Sequence, residues 1–92
     1  LSTRSMYQYF KDEYIKKYGV PSNSYEFFLD PYKLGDGYEL QAIKLEKGYY
    51  STYWYLDLGI ISIKIKALSN STGCLIIHAR MKILLILKKK NK

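Results

Sequence analysis

An α+β fold is predicted for this chain: an N-terminal amphipathic helix, with room for a second short helix, packed on an antiparallel sheet of about four strands. Three observations predict it. Aromatic residues recur every three or four positions through the first eighteen residues, as one face of a helix requires. From Tyr38 onward the pattern changes to period two, as in strands buried on one side. Two of those alternating segments, both basic, are separated by the turn-forming run SNSTG, which marks a hairpin.

The helix falls in STRSMYQYFKDEYIKKYG, where Tyr7, Phe10, Tyr14 and Tyr18 share one face and Lys11, Asp12, Glu13, Lys16 and Lys17 lie outside it. Ser5 with Gln8 fits a capping box. Asp12 with Lys16 and Glu13 with Lys17 are favourably ordered pairs, each worth a few tenths of a kcal/mol. Gly19 followed by Val20-Pro21 ends the helix. The next segment, PSNSYEFFLDP, reads as the second short helix, capped by Ser22, Asn23 or Ser24 with Tyr25, Phe28 and Leu29 on one side. Asp30-Pro31 and the glycines of LGDG then break the chain.

Four strands are expected after that. YELQAIKLE is the first, and GYYSTYWYLDL the second, with Tyr49, Tyr53 and Tyr55 on one face and Tyr50, Trp54, Leu56 and Leu58 on the other. In IISIKIKAL, Ile61, Ile63, Ile65 and Ala67 alternate with Ser62, Lys64 and Lys66. The final stretch, CLIIHARMKILLILKKKNK, sorts best as a strand, with Leu75, Ile77, Ala79, Met81, Ile83, Leu85 and Leu87 on one face and His78, Arg80 and Lys82 on the other. Its longest uninterrupted apolar run is five residues, against about 20 for a membrane-spanning helix. No membrane span is expected.

Ninety-two residues make one domain, residues 1–92, near the low end of what folds without disulfides or metal. Nearly half the chain is apolar or aromatic, with eleven tyrosines, so there is material for a core. Cys74 is the single cysteine, which excludes an internal disulfide and a thiolate zinc site; no metal or other cofactor is expected. The start LSTRSMYQYF lacks the pattern of a signal peptide, and a cytoplasmic location is the expectation.

The net charge of +7 is unevenly spread. Residues 1–57 carry seven Lys or Arg and all eight acids, whereas residues 58–92 carry eight Lys or Arg and no acid. One cationic region on a nearly balanced body implies a localised contact with something anionic. Directly opposed hairpin residues share a face, so Lys64, Lys66, His78, Arg80 and Lys82 should gather on one side of the sheet. Aromatics flanked by cations are a means of stacking bases and holding phosphates. The expected function is therefore a small non-catalytic protein that contacts nucleic acid, with RNA or single-stranded DNA favoured. Lys64, Lys66, Arg80 and Lys82 are the candidate phosphate contacts, and Tyr53 and Tyr55 the candidate stacking residues. Ordinary cross-strand aromatic pairs produce the same aromatic pattern more often, and a merely solvated lysine face produces the same cationic pattern about as often. KKKNK is by default a solubilising end that adds phosphate contacts if nucleic acid is bound.

Catalytic signals are sparse. His78 is the only histidine, neighbouring cations would favour its neutral form, and no spacing-defined partner accompanies it. The glycines form neither GxGxxG nor GxxxxGK, and LGDGYE lacks the ligand spacing of a calcium loop. The layout of helix, short helix and antiparallel sheet, together with IIHARMK near the end, resembles the RelE-like ribonuclease toxins, although their first strand has no counterpart here. That resemblance implies metal-independent RNA cleavage with His78, Arg80 and a tyrosine at the scissile phosphate. A third reading is a protein-binding or inhibitor module, in which an exposed edge or the apolar run Ile83 to Leu87 adds a strand to an acidic protein partner or to a second copy as a homodimer. Leu84 and Ile86, on the polar face, also need cover.

Overall fold

The computed structural model describes residues 2–81. Helix α1 (Thr3–Tyr18) is followed by β1 (Asn23–Phe28), α2 (Glu39–Lys44), β2 (Gly48–Leu56), β3 (Gly59–Ala67) and β4 (Gly73–Met81). The strands form one antiparallel sheet in the order β1-β2-β3-β4. Both helices lie on the same face of it. Tyr50 and Trp54 of β2 and Ile61, Ile63 and Ile65 of β3 build the core with Tyr7, and Phe10, Tyr14, Ile15 and Tyr18 of α1 and Leu40 and Ile43 of α2 pack against them. The result is the α+β architecture that the two periodicities imply.

The α1 aromatic stripe is the face that docks. Trp54 is 1% exposed, meets Tyr14 edge-on at 5.7 Å, and donates its indole N–H to the Gly19 carbonyl at 3.0 Å. Gly19, at φ 88°, ends the helix while its own N–H reaches Ile15 O at 2.8 Å. The N-cap is one turn earlier than the Ser5 capping box: the Ser2 hydroxyl accepts the Ser5 N–H at 3.0 Å, because the helix already begins at Thr3. Lys16 pairs with Glu13 at 3.0 Å in place of Asp12, whose carboxylate accepts from Gln8. Lys17 lies over the Tyr18 ring, not against Glu13.

Two elements exchange types relative to the sequence expectation. The segment read as a short helix is strand β1, and YELQAIKLE, read as a strand, contains α2. The residues between Pro21 and Pro31 gain ladder hydrogen bonds along the edge of β2, and their inward positions find partners on α1. As a strand the same residues pair with the edge of β2, which sets Tyr25 opposite Ser51 and Phe27 opposite Tyr49. In ELQAIK the alternation fails at Ala42-Ile43, whereas helical spacing puts Leu40 and Ile43 on the core and buries Ala42 completely. Glu39 in its first turn and Lys44 in its last complement the helix dipole.

The inward side chains of β1 are partly polar, which hid its period. Ser24 and Glu26 face α1, where the Glu26 carboxylate accepts from Lys11 Nζ at 2.7 Å and from the Tyr7 hydroxyl at 2.8 Å. Thr52, fully buried, hydrogen-bonds the same Tyr7 hydroxyl and lies 3.1 Å from Ser24 Oγ. Burial pushes the Tyr7 phenol well above its ordinary range, so it stays a donor. Burial also works against the Glu26 charge, but the hydrogen bonds from Lys11 and Tyr7 outweigh it and hold the carboxyl below its usual range.

A folded-state pKa below the unfolded one stabilises above the unfolded value of about 4.3 and is lost as pH falls through the folded value. Unfolding free energy should therefore decline from about pH 5 downward. The Glu26→Gln protein should show a flatter acid limb in denaturation curves collected across that window. An identical acid limb in both proteins would rule Glu26 out as the source.

Candidate nucleic-acid interface

Antiparallel register decides which side chains share the face turned away from the helices. Tyr55, Ile60 and Arg80 form one row across the sheet; Asn23, Tyr53, Ser62 and His78 form the next. Tyr25, Ser51, Lys64 and Ile76 form a third. Beyond it Phe27 lies opposite Tyr49, and Lys66 opposite Cys74. Aromatics thus occupy the β1-β2 half of the open face, and cations the β3-β4 half.

Among the described residues, none of the strand positions on this face is an acid. The ion pairs found among the described residues, Arg4–Glu39, Lys11–Glu26 and Lys16–Glu13, all involve α1 and leave Lys64, Lys66 and Arg80 out. Lys64, Lys66, His78 and Arg80 are all exposed. In the register each cation lies opposite a neutral residue, Lys64 opposite Ile76, Lys66 opposite Cys74 and Arg80 opposite Ile60.

The aromatic half is ordered by its own contacts. Tyr53 and Tyr55 stack at 6.3 Å with planes 21° apart, Tyr25 meets Tyr53 edge-on at 6.0 Å, and Phe27 lies 5.0 Å from Tyr49. Asn23 Nδ2 donates to the Tyr55 hydroxyl at 3.4 Å. These are same-strand and cross-strand contacts of an ordinary sheet, yet neither helix covers them, and Tyr55, Tyr25 and Phe27 remain 53%, 45% and 43% exposed. Rings held in place and left open to solvent lose little freedom when a planar partner stacks on them.

The structure brings Lys64, Lys66, Arg80, Tyr53 and Tyr55 onto one face with His78, as the alternation requires. Lys82, Ile83, Leu84, Leu85, Ile86, Leu87 and the KKKNK run lie outside the described residues. Leu58 belongs to the β2-β3 turn, exposed, and not to the core face. Tyr25 and Phe27 are the face residues that sequence reasoning missed. Their own alternation between Asn23 and Phe28, bounded by prolines, was the available signal.

His78 lies opposite Ser62 and in the same row as Tyr53, with Arg80 one row away. Among the described residues no group of three or more His, Cys, Asp or Glu side chains is arranged to hold a metal ion, and no helix is long and apolar enough to cross a membrane. Comparison with protein-family models, with curated proteins and with solved structures found no match to this chain. Fold and face together define an α+β protein with two helices on one side of its sheet and an open aromatic and cationic surface on the other.

Proposed function

We propose that this protein binds single-stranded nucleic acid, RNA or DNA, across the open sheet face, as a binding protein without catalysis. The observation that carries the reading is that, among the described residues, the strand positions turned away from the helices hold no acid and divide into an aromatic half and a cationic half. Lys64, Lys66 and Arg80 hold phosphates, and Tyr55, Tyr53 and Tyr25 offer ring faces to unstacked bases. Paired bases of a duplex are stacked on each other and do not present their faces to such rings. Single strands are therefore favoured.

Binding of single-stranded RNA, double-stranded DNA and heparin across a salt series, with the RNA inspected on a gel afterwards, tests this. Single strands should bind most tightly, with a log–log salt slope near −2 from three phosphate contacts at about −0.7 each. Tyr55→Ala should weaken single-strand binding by roughly 5- to 150-fold, the equivalent of one lost stack of about 1–3 kcal/mol, and leave heparin binding unchanged. Equal affinity for all three polyanions would reduce the face to unspecific charge. Cleaved RNA, with cleavage abolished by Arg80→Ala, would replace the proposal with a ribonuclease acting through His78 and Arg80.

A further inference from the structure

The β2-β3 ladder runs only from Leu56 and Gly59 to Ser51 and Lys64. Past that point β2 continues on β1 back to Gly48, and β3 continues on β4 to Ala67. The sheet therefore forks. In the fork lies a concavity of about 490 Å³ whose walls include Tyr49 and Ser51 of β2, Lys64 and Lys66 of β3, Lys44 of α2, and Glu46 just after it. That volume falls within the roughly 300–1,000 Å³ usual for small-molecule sites. The facing backbone groups inside the fork have no ladder partners across the gap, and unpaired N–H and C=O groups are strong hydrogen-bonding sites.

Three ammonium groups and one carboxylate line these walls, a local excess of two positive charges. A phosphate monoester carries about −1.5 to −2 at neutral pH. Glu46 is the one non-glycine residue with positive φ among the described residues, at 61°. Such backbone strain persists only where surrounding contacts impose it, and it clusters at ligand sites. Here the Glu46 carbonyl accepts the Tyr49 hydroxyl at 2.7 Å and its N–H reaches Ile43 O at 3.1 Å. The Glu46 backbone is thus fixed at the rim of a basic, aromatic-walled cleft, with the residue itself part of the lining.

We infer that the fork is a mononucleotide pocket, the point at which one nucleotide of a bound strand is anchored. The lysines take its phosphate, the Tyr49 ring lies against its base, and the Glu46 carboxylate accepts from a ribose hydroxyl or an amino group of the base. The inference rests on the nucleic-acid reading above and adds a defined anchoring position to it.

Titrating the isotopically labelled full chain with adenosine monophosphate, adenosine and inorganic phosphate, followed by amide NMR, tests the pocket. The monophosphate should give saturable shifts at Ser51, Lys64 and Lys66, and the other two should bind at least about 10-fold more weakly. Lys66→Ala should weaken the monophosphate by about 10-fold, one charge-assisted hydrogen bond. Glu46→Gly relieves the positive φ and so folds, and it should weaken the monophosphate but not inorganic phosphate. Lys17→Ala, which removes the same charge from the helix layer, should change nothing. Equal affinity for phosphate and monophosphate overturns the pocket. Absence of cleft shifts while oligonucleotide still binds overturns the pocket and keeps the open-face reading. Monophosphate in the cleft without oligonucleotide binding does the reverse, and loss of both overturns both.

Discussion

Truncating Trp54 to alanine is expected to cost about 3–5 kcal/mol, the range for removing a large buried aromatic. A domain of 92 residues has roughly 5–14 kcal/mol of stability in total, at about 0.05–0.15 kcal/mol per residue. Half or more of the stability is therefore at risk if the protein lies at the lower end. The effect is large because Trp54 does two things at once. Its ring fills the centre of the sheet face opposite Ile61 and against Tyr14, and its N–H holds the Gly19 carbonyl where α1 stops. Trp54→Phe keeps a ring but loses that hydrogen bond, and should cost distinctly less. Denaturant midpoints measured for both variants check the order. A Trp54→Ala midpoint equal to wild type would mean that α1 is not docked on β2.

The second large effect concerns binding. Replacing Lys64, Lys66 and Arg80 together by alanine should flatten the salt dependence of single-strand binding by about 2 units of log–log slope. Between 50 and 200 mM salt the native protein should lose affinity roughly 18-fold from these contacts, and the triple variant should barely respond. Stability should stay within about 0.5 kcal/mol, because all three side chains are exposed and among the described residues none makes an ion pair. Removing two exposed charges from α1, at Lys16 and Lys17, sets the baseline per charge for net charge alone. An unchanged slope in the triple variant would detach the cationic half of the face from binding.

Much of this face was legible because hairpin geometry allows little choice. Once β3 and β4 are strands joined by SNSTG, burying Ile61, Ile63 and Ile65 forces Lys64, Lys66, His78 and Arg80 together on the other side. Trp54 likewise declares which side of β2 is core. What could not be read was the identity of the two short elements. β1 turns Ser24 and Glu26 toward α1, where a lysine and a tyrosine, far away in sequence, hydrogen-bond the Glu26 carboxylate, a partnership the local sequence does not reveal. α2 has six residues, too few for periodicity to separate helix from strand without knowing what Leu40 and Ile43 pack against. The consequence for the site was specific. Misreading β1 removed Tyr25 and Phe27 from the aromatic half, and misreading α2 hid the fork, since Lys44 and Glu46 reach it only from a helix beneath the sheet's open end.

Lysine acylation footprinting, read by mass spectrometry with and without a saturating single-stranded oligonucleotide, tests the central claim most directly. Lys64 and Lys66 should become protected while Lys16 and Lys17, on the helix layer, react as before. Protection of the helix lysines instead, or of every lysine alike, would place the contact elsewhere and contradict binding through the open sheet.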